Sequence, residues 1–459
     1  MNSHPLGSRD RGAFILLVLL LLSSAVPLGC SGHRADGVVL VVVDALRPDH
    51  LGTYGYQRPT SPRLDEWAQQ AAVFENAFTT SPWTLPAFGS LLTGELPARH
   101  SAGSRLRESN WTASSRLNDS LPTLPEILSA SGFVTGAIVT NPWLPPGTGL
   151  ERGFQTYDYQ RPGEQDHRRA DEVVDLALTW ITGNAGKRFF LMVHILDPHM
   201  SYDAPPPARG RFTGELDQGF QLPVVEPRKI QKRAASVPDP EREFIRAAYD
   251  EEIAFVDQEL GRFFAALRQC GLWDRLLVVV TSDHGEELFD HEGFEHGHSV
   301  YQELLRIPLL IWAPRVQPER RSDPVSLVDL PDTILEAVGV EEWQSSAGQS
   351  LWPVLVEGQK LQSRLLTAEG TLYGPERRAA IQWPLKLTVE IGTGVRRLYH
   401  LERDPDERRD LAGAEGRAVR FLSQELINTL RAARQGVQVE DVPLDEETVR
   451  ELRSLGYLN

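Results

Sequence analysis

Residues 37–44 read GVVLVVVD, an apolar and mostly β-branched run that ends in an aspartate. A run without polar residues predicts a strand that is buried on both faces, which is typical of parallel sheets. Similar runs return at residues 133–139, 189–193, 276–280 and 308–312. Asp44 is therefore expected at the carboxyl end of a central strand, where ligands of α/β folds gather.

Helix-like segments alternate with these runs, at residues 62–72, 121–129, 170–181 and 241–269. The alternation predicts an α/β sandwich with a mostly parallel central sheet and helices on both faces. The stretch 202–238 is rich in Pro, Gly and charge and is long for a plain connection, so we expect a functional loop near the site.

The pattern becomes shorter after about residue 361. Hairpin strands are expected at residues 365–368, 379–383, 384–390 and 396–401, and amphipathic helices at 419–434 and 445–455. We therefore predict a catalytic domain over residues 36–360 and a small C-terminal α+β subdomain over 361–459.

The N-terminus has the pattern of an export signal over residues 1–30. Arg9 and Arg11 precede an apolar run at 13–22, and small residues lead to Cys30. The Leu-Gly-Cys end resembles a bacterial lipoprotein cleavage site, which implies a lipid on Cys30. We expect an exported protein, in the periplasm or cell envelope and lipid-anchored to a membrane; an uncleaved N-terminal anchor is the alternative.

Composition limits the classes of function. The 459 residues carry a formal net charge of -16, and no basic excess of the kind that nucleic-acid binding requires is present. A site for an anion must therefore be made locally, by a metal, a helix terminus or a few basic side chains. Two cysteines are too few for a disulfide framework or a cysteine-rich zinc site.

Two segments offer a metal ligand and a nucleophile. Asp44 at a strand end suits a divalent cation, although a turn or helix-cap aspartate is the alternative. Residues 81–94 read SPWTLPAFGSLLTG and predict a helix that has Thr84 as its N-cap and closes at Gly94. A hydroxyl there could be activated by a metal and attack phosphorus or sulfur, or it could be a plain cap.

Histidines and acids follow two further strands. Residues 190–199 read FLMVHILDPH, in which a histidine could protonate a leaving oxygen or bind the substrate anion; His194 could instead be a buried, hydrogen-bonded histidine. Residues 280–287 read VTSDHGEE and place the metal-capable Asp283 and His284 together, with Gly285 allowing a sharp turn. His291, His296 and His298 come next, and a solvated polar loop is the weaker alternative.

In this order and spacing the segments resemble the sulfatase family of the alkaline phosphatase superfamily. Residues 43–52 resemble the family's opening V-D-x-L-R-x-D-x-L-G, and 90–94 the S-L-L-T-G that ends its nucleophile helix. The D-P-H of 197–199 and the S-D-H-G-E of 282–286 also fit, as do 306–309 and 452–458. The resemblance implies an alkaline-phosphatase-like sandwich and a metal-dependent hydrolase.

The chain departs from the family at its nucleophile. Sulfatases carry a C/S-x-P-x-R motif whose first residue is oxidised to formylglycine, whereas this chain has Thr84 there and Phe88 in place of the arginine. Ala45 replaces a second metal-binding aspartate, and residues 140–143 read TNPW near the family's lysine-bearing G-K-W-H. With a threonine nucleophile and Asp and His ligands, this site is similar to those of the superfamily's phosphodiesterases and of its phosphoglycerol or phosphoethanolamine transferases.

We expect one divalent cation at the site. Zn²⁺ or Mn²⁺ suits a nitrogen ligand and a low ligand count, and Ca²⁺ or Mg²⁺ remains possible. The expected ligands are Asp44, Thr84, Asp283 and His284. A second metal would draw on Asp197, His199 and His296.

The covalent ester is expected on Thr84, with His199 or His298 protonating the leaving oxygen. Asn141, His194 and His296 are expected to contact the substrate anion. Three functions stay open: hydrolysis of sulfate or phosphate esters of a glycan, lipid or small molecule; transfer of a phospho-group to an acceptor alcohol at the cell envelope; and binding by an inactive sulfatase fold.

Overall fold

The structure is a computed structural model. It describes residues 35–104, 113–160, 167–216, 219–222, 224, 227–340 and 343–443. The large sheet has eight strands: β1 (Gly37–Val43), β2 (Ala72–Phe78), β3 (Val134–Val139), β4 (Thr156–Tyr159), β5 (Phe189–Ile195), β6 (Leu276–Thr281), β7 (Arg306–Trp312) and β8 (Glu319–Ser326). Their order across the sheet is β8-β2-β7-β6-β1-β5-β3-β4.

β1 lies inside the sheet and pairs in parallel with both β5 and β6. The pairs β3–β5, β3–β4 and β8–β2 are also parallel. Within the described part of this sheet, β7 alone runs opposite to its two neighbours, β6 and β2. The predicted, mostly parallel sheet is therefore confirmed, and the carboxyl ends of β1, β5 and β6 meet at one edge.

The described residues form eleven helices, most of which cover the two faces of the large sheet. They are α1 (Pro62–Ala68), α2 (Thr84–Thr93), α3 (Pro97–His100), α4 (Leu124–Ala130), α5 (Ala170–Asn184), α6 (Pro227–Lys232), α7 (Asp239–Gln269), α8 (Gln302–Leu305), α9 (Asp329–Ala337), α10 (Trp352–Glu357) and α11 (Gly416–Ala433). Single 3-10 turns lie at Pro48–His50, Gly52–Tyr54, Thr213–Glu215, Ala234–Ser236 and Trp273–Arg275.

The alternation of side chains along β1 explains the three layers. Val39, Val41 and Val43 pack into a core with residues of α1, α5 and α7. Val38, Leu40 and Val42 belong to a second core, with residues of α2, α4 and α9. Because successive side chains of a strand point to opposite faces, a strand between two helical layers must be apolar throughout.

Besides β4, two strands of the large sheet were not predicted from the sequence, β2 and β8. The helix expected over 62–72 ends at Ala68, and β2 follows it directly. β8 reads ERRSDPVS and is mostly polar because it lies at the edge of the sheet, where a polar side chain faces water and Pro324 costs no interior hydrogen bond. Both strands depend on partners that are distant in sequence, which a local pattern cannot show.

A second, antiparallel sheet follows the first along the chain. Its strands, in order, are β9 (Leu366–Ala368), β10 (Arg377–Gln382), β11 (Leu385–Glu390) and β12 (Arg396–His400). α11 packs on it through Leu422, Leu426 and Leu430, which are four residues apart and share one face. Two short strand pairs complete the sheets: Ala113–Ser115 with Asp441–Pro443, and Glu287–Leu288 with Phe294–Glu295.

The predicted division at residue 360 remains a prediction. Residues 358–365 separate α10 from the second sheet, and the described residues from Ala35 onward form one compact unit. The export signal of residues 1–30, the lipid on Cys30 and the helix expected at 445–455 lie outside the described residues. Among the helices described, none combines the length and the apolar character needed to cross a bilayer.

Candidate active site

Four side chains meet at the carboxyl edge of the large sheet. Asp44 follows β1, and Asp283 and His284 follow the neighbouring β6. One ligand atom from each of these three residues lies within 4.8 Å of the others. Nε2 of His284 is 3.6 Å from Oδ1 of Asp44 and 3.3 Å from Oδ2 of Asp283. The relative exposure of Asp44, Thr84, Asp283 and His284 is 0% in each case, so only neighbouring groups or a bound ion can balance their charges.

Thr84 contributes its hydroxyl from the first residue of α2. The residue expected as the N-cap is already helical, and the extended Trp83 occupies the cap position. The Thr84 hydroxyl therefore does not cap the helix, and its Oγ1 lies 3.2 Å from Nε2 of His284. At the other end, Gly94 closes the helix with φ +67°, as predicted.

The ring of His284 is oriented by a backbone contact. Its Nδ1 lies 2.9 Å from the carbonyl of Gly285, which can only accept, so Nδ1 carries the proton. In the neutral form of the ring, Nε2 would then present a lone pair toward Thr84. Burial acts to lower the pKa of His284, but the carboxylates of Asp283 and Asp44 raise it above its usual value. Gly285 is also needed for close backbone approach, because a Cβ there would lie 2.0 Å from the carbonyl oxygen of Glu303.

Two carboxylate oxygens at the site are placed to bind a cation. Oδ1 of Asp44 and Oδ2 of Asp283 are buried and have no hydrogen-bond partner among the described residues. Burial, with the charge of Asp44, raises the pKa of Asp283 to about 6. Burial also acts to raise the pKa of Asp44, but the hydrogen bond from His194 and the nearby imidazoles hold it below its usual range. Two such oxygens beside an imidazole nitrogen fit a divalent cation, because orphaned buried carboxylates are otherwise costly.

The second oxygen of Asp44 is held by two side-chain donors. Nδ2 of Asn141 donates to Oδ2 of Asp44 at 2.6 Å, and Nε2 of His194 lies 3.2 Å from the same oxygen. Nδ2 of Asn141 is also 3.5 Å from the Thr84 hydroxyl. The His194 ring packs edge-on against Phe88 at 5.3 Å between centroids, so this histidine orients Asp44 rather than facing a substrate anion as expected.

His199 and His296 lie on the other side of His284. Ring centroids are 4.4 Å apart for His284 and His296, and 5.0 Å for His199 and His296. His199 directs Nδ1 to the carbonyl of Met200 at 2.8 Å. Burial lowers the pKa of His199 to about 4, and burial followed by the charge of His284 lowers the pKa of His296 well below its usual value. Both rings are therefore neutral at neutral pH.

Two predicted residues have other partners. Nε2 of His298 binds Oε2 of Glu287 at 2.6 Å, and this carboxylate raises the pKa of His298 against the effect of burial. Asp197 accepts from the N–H of Ala170 at 3.0 Å and pairs with Arg169 at 2.9 Å. The structure gives Asp197 a different role from the second-metal ligand expected, because its carboxylate accepts the N–H of Ala170 at the start of α5 and pairs with Arg169.

Four further residues, to which the sequence motifs assign no role, support the site. Oε1 of Glu286 accepts from Nδ1 of His296 at 3.0 Å, and the hydroxyl of Tyr202 donates to Oε2 of Glu286 at 3.3 Å. Arg47 donates to the carbonyl of Glu286 at 3.0 Å, and the Tyr249 hydroxyl accepts from the N–H of Arg47 at 3.0 Å. Arg47 and Glu286 stand within the quoted motifs and could have been found there; the two tyrosines carry no such signal.

A sequence model of the family described as Sulfatase matches residues 37–340, about two thirds of the chain. This protein belongs to the sulfatase family. Sulfatases are generally metal-dependent, which agrees with the group formed by Asp44, Asp283 and His284.

Relatives of this sulfatase are similar over most of their length. Arylsulfatase K of Xenopus laevis is 27% identical, with 80% of this chain and 77% of the relative covered. The multifunctional alkaline phosphatase superfamily protein PehA of Trinickia caryophylli is 27% identical, with 70% and 77% covered. A solved structure described as BT1596, a 2-O GAG sulfatase, has a TM-score of 0.71 at 18% identity and covers 92% of this chain and 96% of its own. The family and its relatives identify an ester hydrolase of the sulfatase type.

Proposed function

We propose that this sulfatase hydrolyses a sulfate monoester through a covalent ester on Thr84. The observation that carries the proposal is the Thr84 hydroxyl, 3.2 Å from Nε2 of His284 and beside two buried carboxylates with unpaired oxygens. Asp44, Asp283 and His284 would hold a divalent cation, with Thr84 as a further ligand. Such a cation lowers the pKa of a neighbouring hydroxyl and offsets charge on the transferred group.

The chemistry takes two displacements at sulfur. Thr84 loses its proton, its oxygen bonds to sulfur, and the bond from sulfur to the alcohol oxygen breaks. The proton reaches the departing alcohol through the neutral imidazoles of His296, which packs against His284, and of His199, which packs against His296. Water then attacks the sulfur of the threonine ester, hydrogen sulfate leaves, and the Thr84 hydroxyl is restored.

The charge of the site favours a singly charged group. Among the described residues, the hydrogen-bond and ion-pair partners of Asp44, Thr84, Asp283 and His284 include no lysine or arginine. Phe88 fills the place of the family's arginine and is buried. One cation, with no lysine or arginine among these partners, suits a monoanionic ester better than a dianionic phosphate monoester, since each extra buried charge needs its own counter-charge.

A phosphodiester is the second candidate, with phospho-group transfer to an acceptor alcohol as its extension. The observation in favour is the nucleophile itself, because threonine supplies an ordinary hydroxyl and no aldehyde. A phosphodiester also carries a single charge. An acceptor alcohol would take the place of water in the second displacement.

The test is a substrate panel on purified protein supplied with Zn²⁺ or Mn²⁺: an aryl sulfate, an aryl phosphodiester, a phosphonate monoester and an aryl phosphate monoester. We expect monoanionic esters to be turned over at least about tenfold faster than the phosphate monoester, with the aryl sulfate preferred. Thr84→Ala should lose about 10³-fold or more of kcat, while Thr84→Ser keeps a hydroxyl and part of the rate.

Trapping gives an independent readout: acid quenching during turnover should leave a sulfate mass on the peptide that contains Thr84. Undiminished turnover in Thr84→Ala would remove Thr84 as the nucleophile. A protein that binds the metal and turns over none of the four esters would instead be an inactive sulfatase fold.

We also propose that the protein is exported and carries a lipid on Cys30, so that it meets a glycan, lipid or small-molecule ester at the cell envelope. The support is the sequence pattern of residues 1–30. Mass spectrometry of the mature N-terminus would show a diacylated cysteine, and an unmodified N-terminus at any other residue would contradict it.

A further inference from the structure

The second sheet reaches the candidate site through the loop between β9 and β10, residues 369–376. The N–H of Glu369 donates to the carbonyl of Thr80 at 3.0 Å, and the indole of Trp83 donates to the carbonyl of Gly370 at 2.6 Å. Thr80 and Trp83 lie in the segment that leads into α2, whose first residue is the candidate nucleophile. The start of the loop is therefore fixed to the nucleophile segment.

The same loop also holds the segment that follows His296. The carbonyl of Gly297 accepts from the N–H groups of Leu372 and Tyr373, at 2.6 and 3.0 Å. The N–H of Gly297 donates to the carbonyl of Pro82 at 2.9 Å. One residue thus joins the nucleophile segment, the histidine segment and the loop of the second sheet.

The close approach at this junction depends on glycine. Gly297 has φ +79°, in the left-handed region that residues with a side chain rarely adopt. A Cβ there would lie 3.0 Å from Cβ of Leu372 and 3.5 Å from the ring of Tyr373. A side chain at this position would therefore have to displace the loop or the histidine segment.

Arg377, the first residue of β10, holds the next carbonyl along the histidine segment. Its Nη1 donates to the carbonyl of His298 at 2.8 Å, while its Nε and Nη2 lie 3.3 and 3.2 Å from Oε2 of Glu390 on β11. The side chain of His296 is fixed separately, because Oε1 of Glu286 accepts from its Nδ1 at 3.0 Å. Backbone and ring of His296 are thus held by different partners.

We propose that the second sheet positions His296 against Thr84, with Gly297 and Arg377 as positioning residues that act through His296. The inference rests on the proposed ester hydrolysis, in which His296 passes a proton toward the departing alcohol. Such a transfer needs hydrogen-bonding distance, and a displacement of about 1 Å can cost about 10²-fold in rate. The hydrogen bonds of the loop involve none of the four candidate metal ligands, so metal binding should not depend on them.

The test compares two sulfate esters on the full-length, metal-loaded protein. An alkoxide is a poor leaving group and needs the proton, whereas a nitrophenolate departs without it. In Gly297→Ala, kcat for an alkyl sulfate should fall about 10²-fold and kcat for a nitrophenyl sulfate less than about threefold, with both KM values unchanged.

Arg377→Gln should show the same selective loss at about tenfold, the value of one charge-assisted hydrogen bond. The side chain of Arg377 is 27% exposed, so its substitution tests the inference even if Gly297→Ala fails to fold. Arg396→Gln is the matched control, because Arg396 lies in β12 of the same sheet, is exposed and binds Ser423 and Gly394 instead. Its rates on both esters should equal those of the unaltered protein.

An equal loss on both esters in Gly297→Ala and Arg377→Gln, or no loss on either, would overturn the inference. Failure of the proposed function would appear elsewhere, because the unaltered protein would then turn over neither ester. Hydrogen exchange decides the positioning in that case as well: exchange at residues 80–84 and 295–298 should rise together in the two variants. An unchanged exchange pattern would show that the second sheet does not hold these segments.

Discussion

Phe88 shows at the scale of one residue how far this site departs from the arginine of the family motif. The side chain is completely buried and lies edge-on to His194, which in turn holds Asp44. An arginine placed here would carry its charge into apolar packing and toward an imidazole. One substitution therefore cannot restore the family's motif.

We expect Phe88→Arg to lower the free energy of unfolding by about 3 kcal/mol or more, because its charge would be buried without a partner. Phe88→Leu keeps the site apolar and should cost no more than about 1.5 kcal/mol. Urea unfolding of the two variants with the same metal present decides the matter. A Phe88→Arg protein as stable as Phe88→Leu would mean that a counter-charge reaches residue 88.

His100 links α2 to α3 and supplies a pH-dependent contribution to stability. Nε2 lies 3.0 Å from Oγ of Ser90, and Nδ1 accepts from the N–H of Ala102 at 3.2 Å. Burial lowers the pKa of His100 from 6.5 to about 3. The unfolded chain therefore binds a proton at this residue before the native protein does. The contribution is complete above pH 6.5 and is lost as the pH falls from there toward 3.

Comparison with His100→Gln isolates this contribution, because an amide does not titrate. The stability advantage of the unaltered protein over the variant should shrink by about 2 kcal/mol between pH 7 and pH 5, at about 1.4 kcal/mol for each pH unit below 6.5. Urea unfolding of both proteins at the two pH values measures it. An advantage that stays constant would show that His100 is protonated equally in the folded and unfolded states.

At the scale of elements, α7 holds the long loop that follows β5. Glu251 lies in this helix and accepts hydrogen bonds from the backbone N–H groups of Gly210, Phe212 and Thr213, at 2.7 to 2.9 Å. The same loop brings Tyr202 to Glu286, so its position affects the candidate site. One buried carboxylate thus substitutes for the regular secondary structure that residues 202–216 largely lack.

Glu251→Ala should cost about 3 kcal/mol, because it leaves buried N–H groups without acceptors, and it should open residues 208–216 to proteases. Glu243→Ala is the matched control on the same helix: the side chain of Glu243 is 44% exposed and, within the described residues, pairs with Arg58 alone, so its loss should cost under about 1 kcal/mol. Limited proteolysis with mass spectrometry locates the cut. Identical cleavage patterns for the two variants would contradict a role of Glu251 in holding the loop.

At the scale of the whole molecule, the candidate cation site joins segments that are far apart in sequence. Asp44 and Asp283 come from the first and sixth strands, and a cation between them would bind the native state alone. Such a cation stabilises the fold by about 2.7 kcal/mol at a free concentration of one hundred times its Kd. Stability and activity should therefore depend on the same ion.

Chelation is expected to abolish ester turnover and lower the thermal midpoint, and Zn²⁺ or Mn²⁺ should restore both. Asp283→Asn should remove most of the metal-induced shift in the midpoint. Asp197→Asn is the matched control: it loses the ion pair with Arg169 and some stability, but its shift on adding metal should be unchanged. Equal shifts in the two variants would place the metal away from Asp283.

The amino-acid sequence by itself determined the α/β class, the central strand and the strand ends that carry Asp44, Asp283 and His284. These features are local: an apolar run fixes β1, and the motif residues directly follow predicted strands. Neighbouring parallel strands then bring their carboxyl ends together without further information.

The tertiary structure decided the rest, because a buried polar group takes whichever partner the folded chain brings near. The N–H of Ala45 meets Oδ1 of Asp283 at 3.3 Å, across 238 residues of sequence. Asp197 binds the N–H of Ala170 at the start of α5, and His194 binds Asp44. The sequence had made both residues candidates for the site. Hydrophobic periodicity is read along the chain, whereas hydrogen-bond partners and neutralising charges depend on distances that exist only after folding.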